Sequence, residues 1–171
     1  MAIRELRYLG DPVLREPAAP VDAFDDELRR LVDDMFQTMV YEEGAGLAAP
    51  QIGISRQVLV VDVSAGGEEG RVALVNPRIV ESSNETEKEP EGCLSIPGVT
   101  EVVRRPARVR IEGFDPDGEP ITVEAEGLFA RALQHEVDHL EGVLFIDHLS
   151  ALKRRMLLKK YRKLLAEEAS G

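Results

Sequence analysis

Hydrophobic residues recur at helical spacing in the first third of the chain. Between residues 24 and 43 the apolar positions fall three or four residues apart, at Leu28, Leu31, Val32, Met35, Phe36, Met39 and Val40. This periodicity predicts an amphipathic helix. Asp22 or Asp25 is available as its N-cap, and Gly44 follows its end.

The same spacing returns twice in the last third of the chain. Residues 128–140 carry apolar side chains at Leu128, Phe129, Ala132, Leu133, Val137 and Leu140. This segment lies between Gly127 and Gly142 and predicts a largely buried helix. A third helix is predicted over residues 150–167, with one apolar side formed by Leu152, Met156, Leu158, Tyr161 and Leu165.

Four runs rich in β-branched residues lie between the first two helices, at residues 57–63, 72–80, 107–112 and 121–125. Turn signals such as Gly66-Gly67 and D-P-D-G at residues 115–118 separate them, so they predict short antiparallel strands. The glycines and proline of residues 44–53 exclude a regular helix and predict a tightly folded loop. The acidic stretch at residues 81–91 predicts a surface connection. The order helix, strands, helix, helix predicts an α+β fold.

Length and composition narrow the class of protein. The 171 residues suit one compact domain over residues 1–171, and the 43% apolar and 31% charged residues are typical of a globular protein. No stretch approaches the roughly 20 apolar residues that cross a bilayer, and the first residues lack the features of a signal peptide. The single cysteine, Cys93, excludes an internal disulfide, so we expect a cytoplasmic protein.

Charge is unevenly distributed along the chain. The net charge of −11 argues against binding of nucleic acid by the whole surface, and we expect neither DNA nor a membrane as a partner. The C-terminal helix, residues 149–167, reverses this charge. It carries seven of the 21 basic residues between positions 151 and 163, with no acidic residue among them. Its simplest interpretation is a solvated amphipathic helix packed on the body.

The strongest chemical signal is H-E-V-D-H at residues 135–139, an H-E-x-x-H sequence within a predicted helix. His135 and His139 share one helix face, so two imidazoles can reach one metal ion. Glu136 lies close enough to act as general base on a metal-bound water without being a ligand. The alternative is two surface histidines that have this spacing by chance. The flanking helix is unusually apolar for a solvated surface, however, and buried polar groups need partners.

A metal held by two histidines lacks a ligand, because catalytic sites of this type have three protein ligands and one open position. Glu141 is too close in sequence, and His148 fits no downstream spacing known for such proteases. Cys93 is the better candidate, in a strand-like segment between Gly92 and Leu94. By itself, a lone cysteine is more often a small buried hydrophobe.

Three short motifs carry a family resemblance. In this order, G-L-A-A-P-Q at 46–51, E-G-C-L-S at 91–95 and H-E-V-D-H at 135–139 match the signature motifs of peptide deformylases. The chain therefore resembles the polypeptide deformylase family, and the resemblance extends from residues 9–15 to residues 142–147. It implies antiparallel β-sheets surrounding a central H-E-x-x-H helix, with an N-terminal and a C-terminal helix.

The resemblance implies a hydrolase that removes the formyl group from the N-terminal formylmethionine of nascent polypeptides and releases formate. Cys93, His135 and His139 would bind one divalent metal ion. Fe(II) is the physiological ion in the family, and Zn, Ni or Co can replace it. The sequence itself does not choose among these metals, because thiolate and imidazole suit several first-row ions.

The resemblance also assigns catalytic roles. Metal-bound water attacks the formyl carbon, while Glu136 takes its proton and later protonates the leaving amine. The Gln51 side-chain amide and the Leu94 backbone N–H, together with the metal, would stabilise the charge on the formyl oxygen. Without the resemblance, Gln51 is explained more simply as a residue that satisfies backbone groups of its own loop.

Substrate contacts follow in the same way. The loop around Gly46 would pair with the substrate backbone. The positions that match the family's methionine pocket are Ala45, Leu128, Arg131 and Ala132. Many relatives carry a larger aliphatic residue in place of Ala45 and an apolar one in place of Arg131, so the width and polarity of this pocket stay open. The aliphatic stem of Arg131 can still form a wall.

The resemblance gives the basic C-terminal helix a second interpretation. Enzymes of this family act on nascent chains, and related bacterial forms use such a helix to approach the ribosomal exit tunnel and its RNA phosphates.

Two rival functions differ from this one in the ligands that they require of the metal. A metallopeptidase of the H-E-x-x-H kind would cut internal peptide bonds and use a downstream ligand instead of Cys93. A non-catalytic ribosome-binding protein with a structural metal would need four protein ligands, and the chain offers three.

Overall fold

The computed structural model of the protein describes residues 2–64 and 70–170. In chain order, its helices and strands are α1 (Asp26–Tyr41), β1 (Gly46–Ala48), β2 (Val58–Asp62), β3 (Arg71–Ser82), β4 (Thr86–Cys93), β5 (Ile96–Pro106), β6 (Arg108–Phe114), β7 (Pro120–Glu126), α2 (Gly127–Leu140) and α3 (Ala151–Ser170). Short 3-10 helices lie at Pro12–Arg15, Ala49–Ile52 and Phe145–His148. The turn predicted at Gly66-Gly67 lies outside the described residues.

An antiparallel sheet of five strands, in the order β1-β2-β3-β6-β7, forms the centre of the fold. The four strands predicted from β-branched runs are confirmed as β2, β3, β6 and β7, with ends that differ by one or two residues. Strand β2 is buried on both faces: Val58 and Val60 pack with α1, whereas Leu59 and Val61 pack with α2. Side chains alternate between faces along a strand, so β2 separates the two helices.

Helix α1 is confirmed within the predicted segment. The Asp25 side chain caps it by accepting a hydrogen bond from the Leu28 backbone N–H at 3.0 Å. The loop that follows contains no α-helix, in agreement with its glycines and proline. It forms the short strand β1, which pairs with β2 through Gly46 and Val61, and the 3-10 helix Ala49–Ile52.

The two-stranded hairpin β4–β5 corrects the prediction of a surface connection at residues 81–91. Strand β3 continues to Ser82, and β4 begins at Thr86. Most β4 side chains are exposed, so this strand needs no alternation of apolar residues. Its register with β5 places the oppositely charged Glu87 and Arg105 across from each other. Cys93 ends β4, as the prediction of a strand-like segment required.

Helix α2 packs through two different stripes of side chains. Ala130, Leu133, Val137 and Leu140 form an apolar stripe that packs against the five-stranded sheet. The polar side chains of Arg131, Gln134, His135 and Asp138 hydrogen-bond to residues of the β4–β5 hairpin. The prediction that this helix is largely buried is confirmed, and its polar stripe determines where the hairpin lies.

Helix α3 packs on the body through a face that shares Leu158 and Tyr161 with the predicted one. Leu157 and Tyr161 are its buried side chains, and Leu164 lies against Gly98 of β5. The predicted apolar side is wrong for Leu152, Met156 and Leu165, which are exposed. Residues 157, 161 and 164 lie one turn apart, and the position of β5 selects this stripe. Within the described part of the chain, no helix has the length and apolar character needed to cross a membrane.

Candidate metal centre and active site

A cleft of about 550 Å³ opens over α2, between the loop at residues 42–46 and the tip of the β4–β5 hairpin. Several motif residues line it, including Gln51, Cys93, Leu94, His135 and Glu136. A larger depression of about 740 Å³ lies over β3, β6 and β7. The cleft is the better candidate for a reaction site, because the catalytic residue types converge there.

The two histidines of α2 face one another at the base of the cleft. His135 Nε2 and His139 Nε2 are 3.2 Å apart, and both side chains are buried. Their separation follows from the helix, which brings residues four apart onto one face. The sequence prediction that both imidazoles can reach one ion therefore agrees with the geometry.

Cys93 meets this pair from the opposite wall. Its Sγ lies 3.4 Å from His139 Nε2, and the ligand atoms of Cys93, His135 and His139 all lie within 4.8 Å of one another. Metal–nitrogen bonds of about 2.0 Å and metal–sulfur bonds of about 2.3 Å place tetrahedral ligand atoms about 3.3 to 3.6 Å apart. The three residues thus fit a single divalent ion of zinc-like size.

Unsatisfied groups at the centre support the same fit. Two neutral imidazoles gain nothing by presenting their Nε2 lone pairs to each other, whereas one cation would pair with both. Burial lowers the pKa of His139 well below its ordinary value, so this imidazole is neutral, as a metal ligand must be. In the described part of the chain, His139 Nδ1 and Glu136 Oε1 are buried without a hydrogen-bond partner.

Glu91 contacts the Nδ1 side of the His135 ring, opposite the Nε2 atom that faces His139. Its Oε1 lies 3.0 Å from His135 Nδ1, and its Oε2 accepts hydrogen bonds from Arg105 Nε and Arg131 Nη1 at 2.5 and 2.6 Å. Burial alone would raise the pKa of Glu91, but the Arg105 and His135 hydrogen bonds lower it to about 2. The ionised carboxylate therefore accepts the Nδ1 proton, which leaves the Nε2 lone pair free to face the centre.

The charges around Glu91 form a network that sequence analysis missed. Arg105 also donates to Asp138 at 2.9 Å, and Asp138 in turn lies 2.8 Å from His148 Nε2. Glu91 could have been found, because it opens the E-G-C-L-S motif and a ligand histidine usually has such a carboxylate partner. Arg105 gave no comparable signal, since it lies in a strand that was not predicted.

Glu136 lies beside the centre without being one of the three converging ligands. Burial raises its pKa to about 7, although the positive charge of Arg105 opposes this rise. A carboxylate with a pKa near neutrality can both accept and return a proton. Gly46 packs directly against it, because a Cβ atom at that position would lie 2.7 Å from Glu136 Oε2.

Gln51 performs two tasks at once. Its Oε1 accepts a hydrogen bond from the Ala48 backbone N–H at 2.9 Å, which is the local role that the sequence left open. Its Nε2 donates to Ser95 Oγ at 3.2 Å and lies 3.6 Å from Cys93 Sγ. The amide N–H group therefore lies beside the candidate metal ligands, while the amide oxygen holds the loop.

The residues predicted to contact substrate all border the cleft; they are Ala45, Gly46, Leu128, Arg131 and Ala132. Leu128 is 64% exposed at the cleft mouth, and Arg131 is buried. The Arg131 guanidinium bonds to Glu91, so its charge is neutralised behind the wall. Only the aliphatic stem is then left to shape the cleft, as the sequence prediction allowed.

Comparison with known proteins adds an independent finding. The sequence model of the family described as polypeptide deformylase matches residues 3–155. The chain is 50% identical over 171 residues to a peptide deformylase of Brucella suis, covering 99% of this chain and 98% of the relative. A relative from Natranaerobius thermophilus, also a peptide deformylase, is 51% identical over 154 residues, with 90% and 97% covered.

Solved structures agree with the sequence comparison. A peptide deformylase from Legionella pneumophila superposes with a TM-score of 0.92 and 44% identity, and the match covers 99% of both chains. A peptide deformylase from Synechococcus elongatus, solved in complex with actinonin, gives a TM-score of 0.87 and 46% identity, over 92% of this chain and 86% of that one.

Proposed function

The chain belongs to the polypeptide deformylase family, and from this membership we propose how its own residues carry out the reaction. It is a metal-dependent hydrolase that removes the N-formyl group from nascent polypeptides. The observation that supports the residue assignment is the convergence of Cys93, His135 and His139 beside Glu136 in one cleft. We propose a single domain over residues 1–171, because α2 packs on the five-stranded sheet and is hydrogen-bonded to the hairpin that carries Cys93.

We assign metal binding to Cys93, His135 and His139, with Fe(II) as the physiological ion. Zn, Ni or Co would be accepted by the same thiolate and imidazoles, because the donor set suits several first-row ions. When bound, the ion polarises the formyl oxygen and lowers the pKa of water toward neutrality. Three protein ligands leave one position open for these groups, as a catalytic site requires.

Glu136 is the proposed general base and acid. It accepts the proton of the attacking water and then delivers it to the amine nitrogen as the carbon–nitrogen bond of the formamide breaks. The products are formate and a peptide with a free amino terminus. Among the described residues, Glu136 Oε1 is buried without a hydrogen-bond partner, so no hydrogen bond from them lowers the proton affinity of this oxygen.

Gln51 and Leu94 are assigned to the formyl oxygen. Gln51 Nε2 is hydrogen-bonded to Ser95 Oγ and lies near Cys93 Sγ. It would donate to the formyl oxygen as negative charge develops there, and the Leu94 backbone N–H would donate to the same oxygen. Preorganised donors of this kind lower the barrier by about 3 kcal/mol each. Because the Ala48 N–H holds Oε1, the amide is already oriented before substrate arrives.

The methionine side chain of the substrate would pack against the cleft wall formed by Ala45, Leu128, Ala132 and the aliphatic stem of Arg131. Gly46 is the half-buried first residue of β1 and lies next to Glu136, where its backbone would pair with the first substrate residues. We therefore attribute selection of an apolar first residue to this wall.

Formate release from a formyl-Met-Ala peptide tests the assignment. Protein loaded anaerobically with Fe(II) should release formate, and Glu136→Ala should abolish release while retaining metal. Cys93→Ser distinguishes the deformylase from the metallopeptidase alternative. Loss of metal in this variant would support Cys93 as a ligand, and unchanged metal binding would exclude Cys93 as a ligand. A folded, iron-loaded protein that releases no formate would overturn the proposed roles.

We also propose that α3 contacts the ribosome and that the protein acts in the cytoplasm, where nascent formylated chains are made. Lys159, Lys160 and Lys163 are exposed on α3, while Leu157 and Tyr161 hold the helix on the body. Replacing the three lysines by glutamate keeps that packing, so loss of co-sedimentation with ribosomes would support docking. Unchanged co-sedimentation would exclude it.

A further inference from the structure

The metal ligands come from two different structural units. His135 and His139 belong to α2, which is packed on the five-stranded sheet, whereas Cys93 ends β4 of the separate two-stranded hairpin. The register of the hairpin shifts between Glu91 and Cys93, so ladder pairing alone does not determine where the thiol lies. Something must hold the hairpin against α2 if the three ligand atoms are to meet.

Arg131 makes three hydrogen bonds that all cross from α2 to the hairpin. Its Nη1 donates to Glu91 Oε2 at 2.6 Å and to the Val103 carbonyl at 2.9 Å, and its Nη2 donates to the Glu87 carbonyl at 2.8 Å. Glu87 and Glu91 lie on β4, and Val103 lies on β5. The guanidinium therefore joins both strands of the hairpin to the histidine helix.

We propose that Arg131 is a positioning residue that holds Cys93 at the histidine pair, and so preorganises the metal centre, in addition to forming part of the cleft wall. The inference rests on the proposed ligand set. Arg131 precedes His135 by one helical turn, and the two side chains bind different oxygens of Glu91. The Glu91 carboxylate, two residues before Cys93, therefore bonds to side chains on two successive turns of α2.

Removing Arg131 should loosen the centre without unfolding the protein. Glu91 would keep Arg105 as its ionic partner, so no buried carboxylate is left uncompensated. The hairpin would also keep its apolar contacts, since Ile96, Val99 and Val103 pack in the cluster that includes Leu157 of α3. The expected loss is thus in the fixed distance between Cys93 and the histidines, to which a metal is sensitive.

The test is the rate of Co(II) loss from the full-length protein to a chelator, together with the cobalt–thiolate absorption band. We expect Arg131→Met to release Co(II) about 10-fold faster than the unsubstituted protein and to weaken or shift the thiolate band. Leu128→Ala is the matched control, because it alters the same cleft wall from the same helix. It should change KM and leave the Co(II) release rate and the band as they were.

A second variant separates the effect of the Arg131 charge from the effect of its three hydrogen bonds. In Arg131→Lys a single ammonium can reach Glu91 but cannot also serve the two carbonyls, so Co(II) release should be intermediate. A folded Arg131→Met or Arg131→Lys protein with the original release rate and band would overturn the inference. If the unsubstituted protein bound Co(II) without a thiolate band, the ligand set under the proposed function would fail instead.

Discussion

Gly46 and Glu136 are in direct contact, because a Cβ atom on Gly46 would lie 2.7 Å from Glu136 Oε2 and 2.9 Å from its Cγ. Gly46→Ala should therefore push the proposed catalytic carboxylate aside. We expect kcat to fall by about 100-fold, the usual effect of displacing a catalytic group by an ångström, with metal content unchanged. Steady-state kinetics and metal analysis of the purified variant measure both quantities.

Gly44→Ala is the matched control for this prediction. Its added Cβ would meet the end of the Leu94 side chain at 2.6 Å, and an aliphatic side chain can rotate away. The loss should be several times smaller than for Gly46→Ala. Wild-type kcat in Gly46→Ala would show that Glu136 does not need its present position.

The pH dependence of the reaction should contain an acid limb that belongs to Glu136. Burial raises the pKa of this carboxyl to about 7, and the positive charge of a bound metal would lower it again. Since a general base must be unprotonated, kcat/KM should fall as the pH drops below a limb at or under about 7. Glu136→Gln should lose about 1,000-fold in kcat/KM and lose this limb, and an unchanged limb in that variant would assign the titration to another group.

Stability should depend on pH through Glu91. Its pKa is lowered from 4.5 to about 2, because the hydrogen bonds from Arg105 and His135 outweigh the effect of burial. A carboxyl with a depressed folded-state pKa stabilises the fold above pH 4.5 and loses this contribution as the pH falls toward about 2. The contribution corresponds to about 3 kcal/mol in the free energy of unfolding.

Urea unfolding of the metal-free protein at several pH values tests this prediction. Glu91→Gln should be less stable than the unsubstituted protein at neutral pH, and the gap should narrow below pH 4.5. Glu101→Gln, on the same hairpin, is the control. A gap between the Glu91→Gln and unsubstituted proteins that stayed constant down to about pH 2 would mean that the network does not depend on the Glu91 charge.

Two leucines of α3 should differ in their effect on stability. Leu157 is 5% exposed and Leu152 is 59% exposed. We expect Leu157→Ala to lower the free energy of unfolding by about 2 to 4 kcal/mol, through lost burial and a cavity, and Leu152→Ala by less than about 0.5 kcal/mol. Equal effects in denaturant titrations would contradict the position of the helix on β5.

The local parts of the structure could be predicted because their signals lie within single elements. The apolar spacing of α1 and the i, i+4 pair His135 and His139 are properties of one helix. The hairpin β4–β5 was missed because its outer strand is charged and exposed, and period-2 alternation is the pattern that identifies a half-buried strand. The inner face of α3 was misjudged because several of its faces carry apolar residues, and only contact with β5 selects one.

The sequence alone determined the class of fold, the helix that carries two imidazoles able to reach one metal ion, and the candidates for a third ligand. Tertiary structure decided that Cys93 reaches these imidazoles and that Arg131 turns its charge away from the cleft toward Glu91. Glu91 and Arg131 are 40 residues apart in sequence. Such a contact leaves no periodic trace, because it depends on the packing of a hairpin against a helix rather than on the geometry of either element.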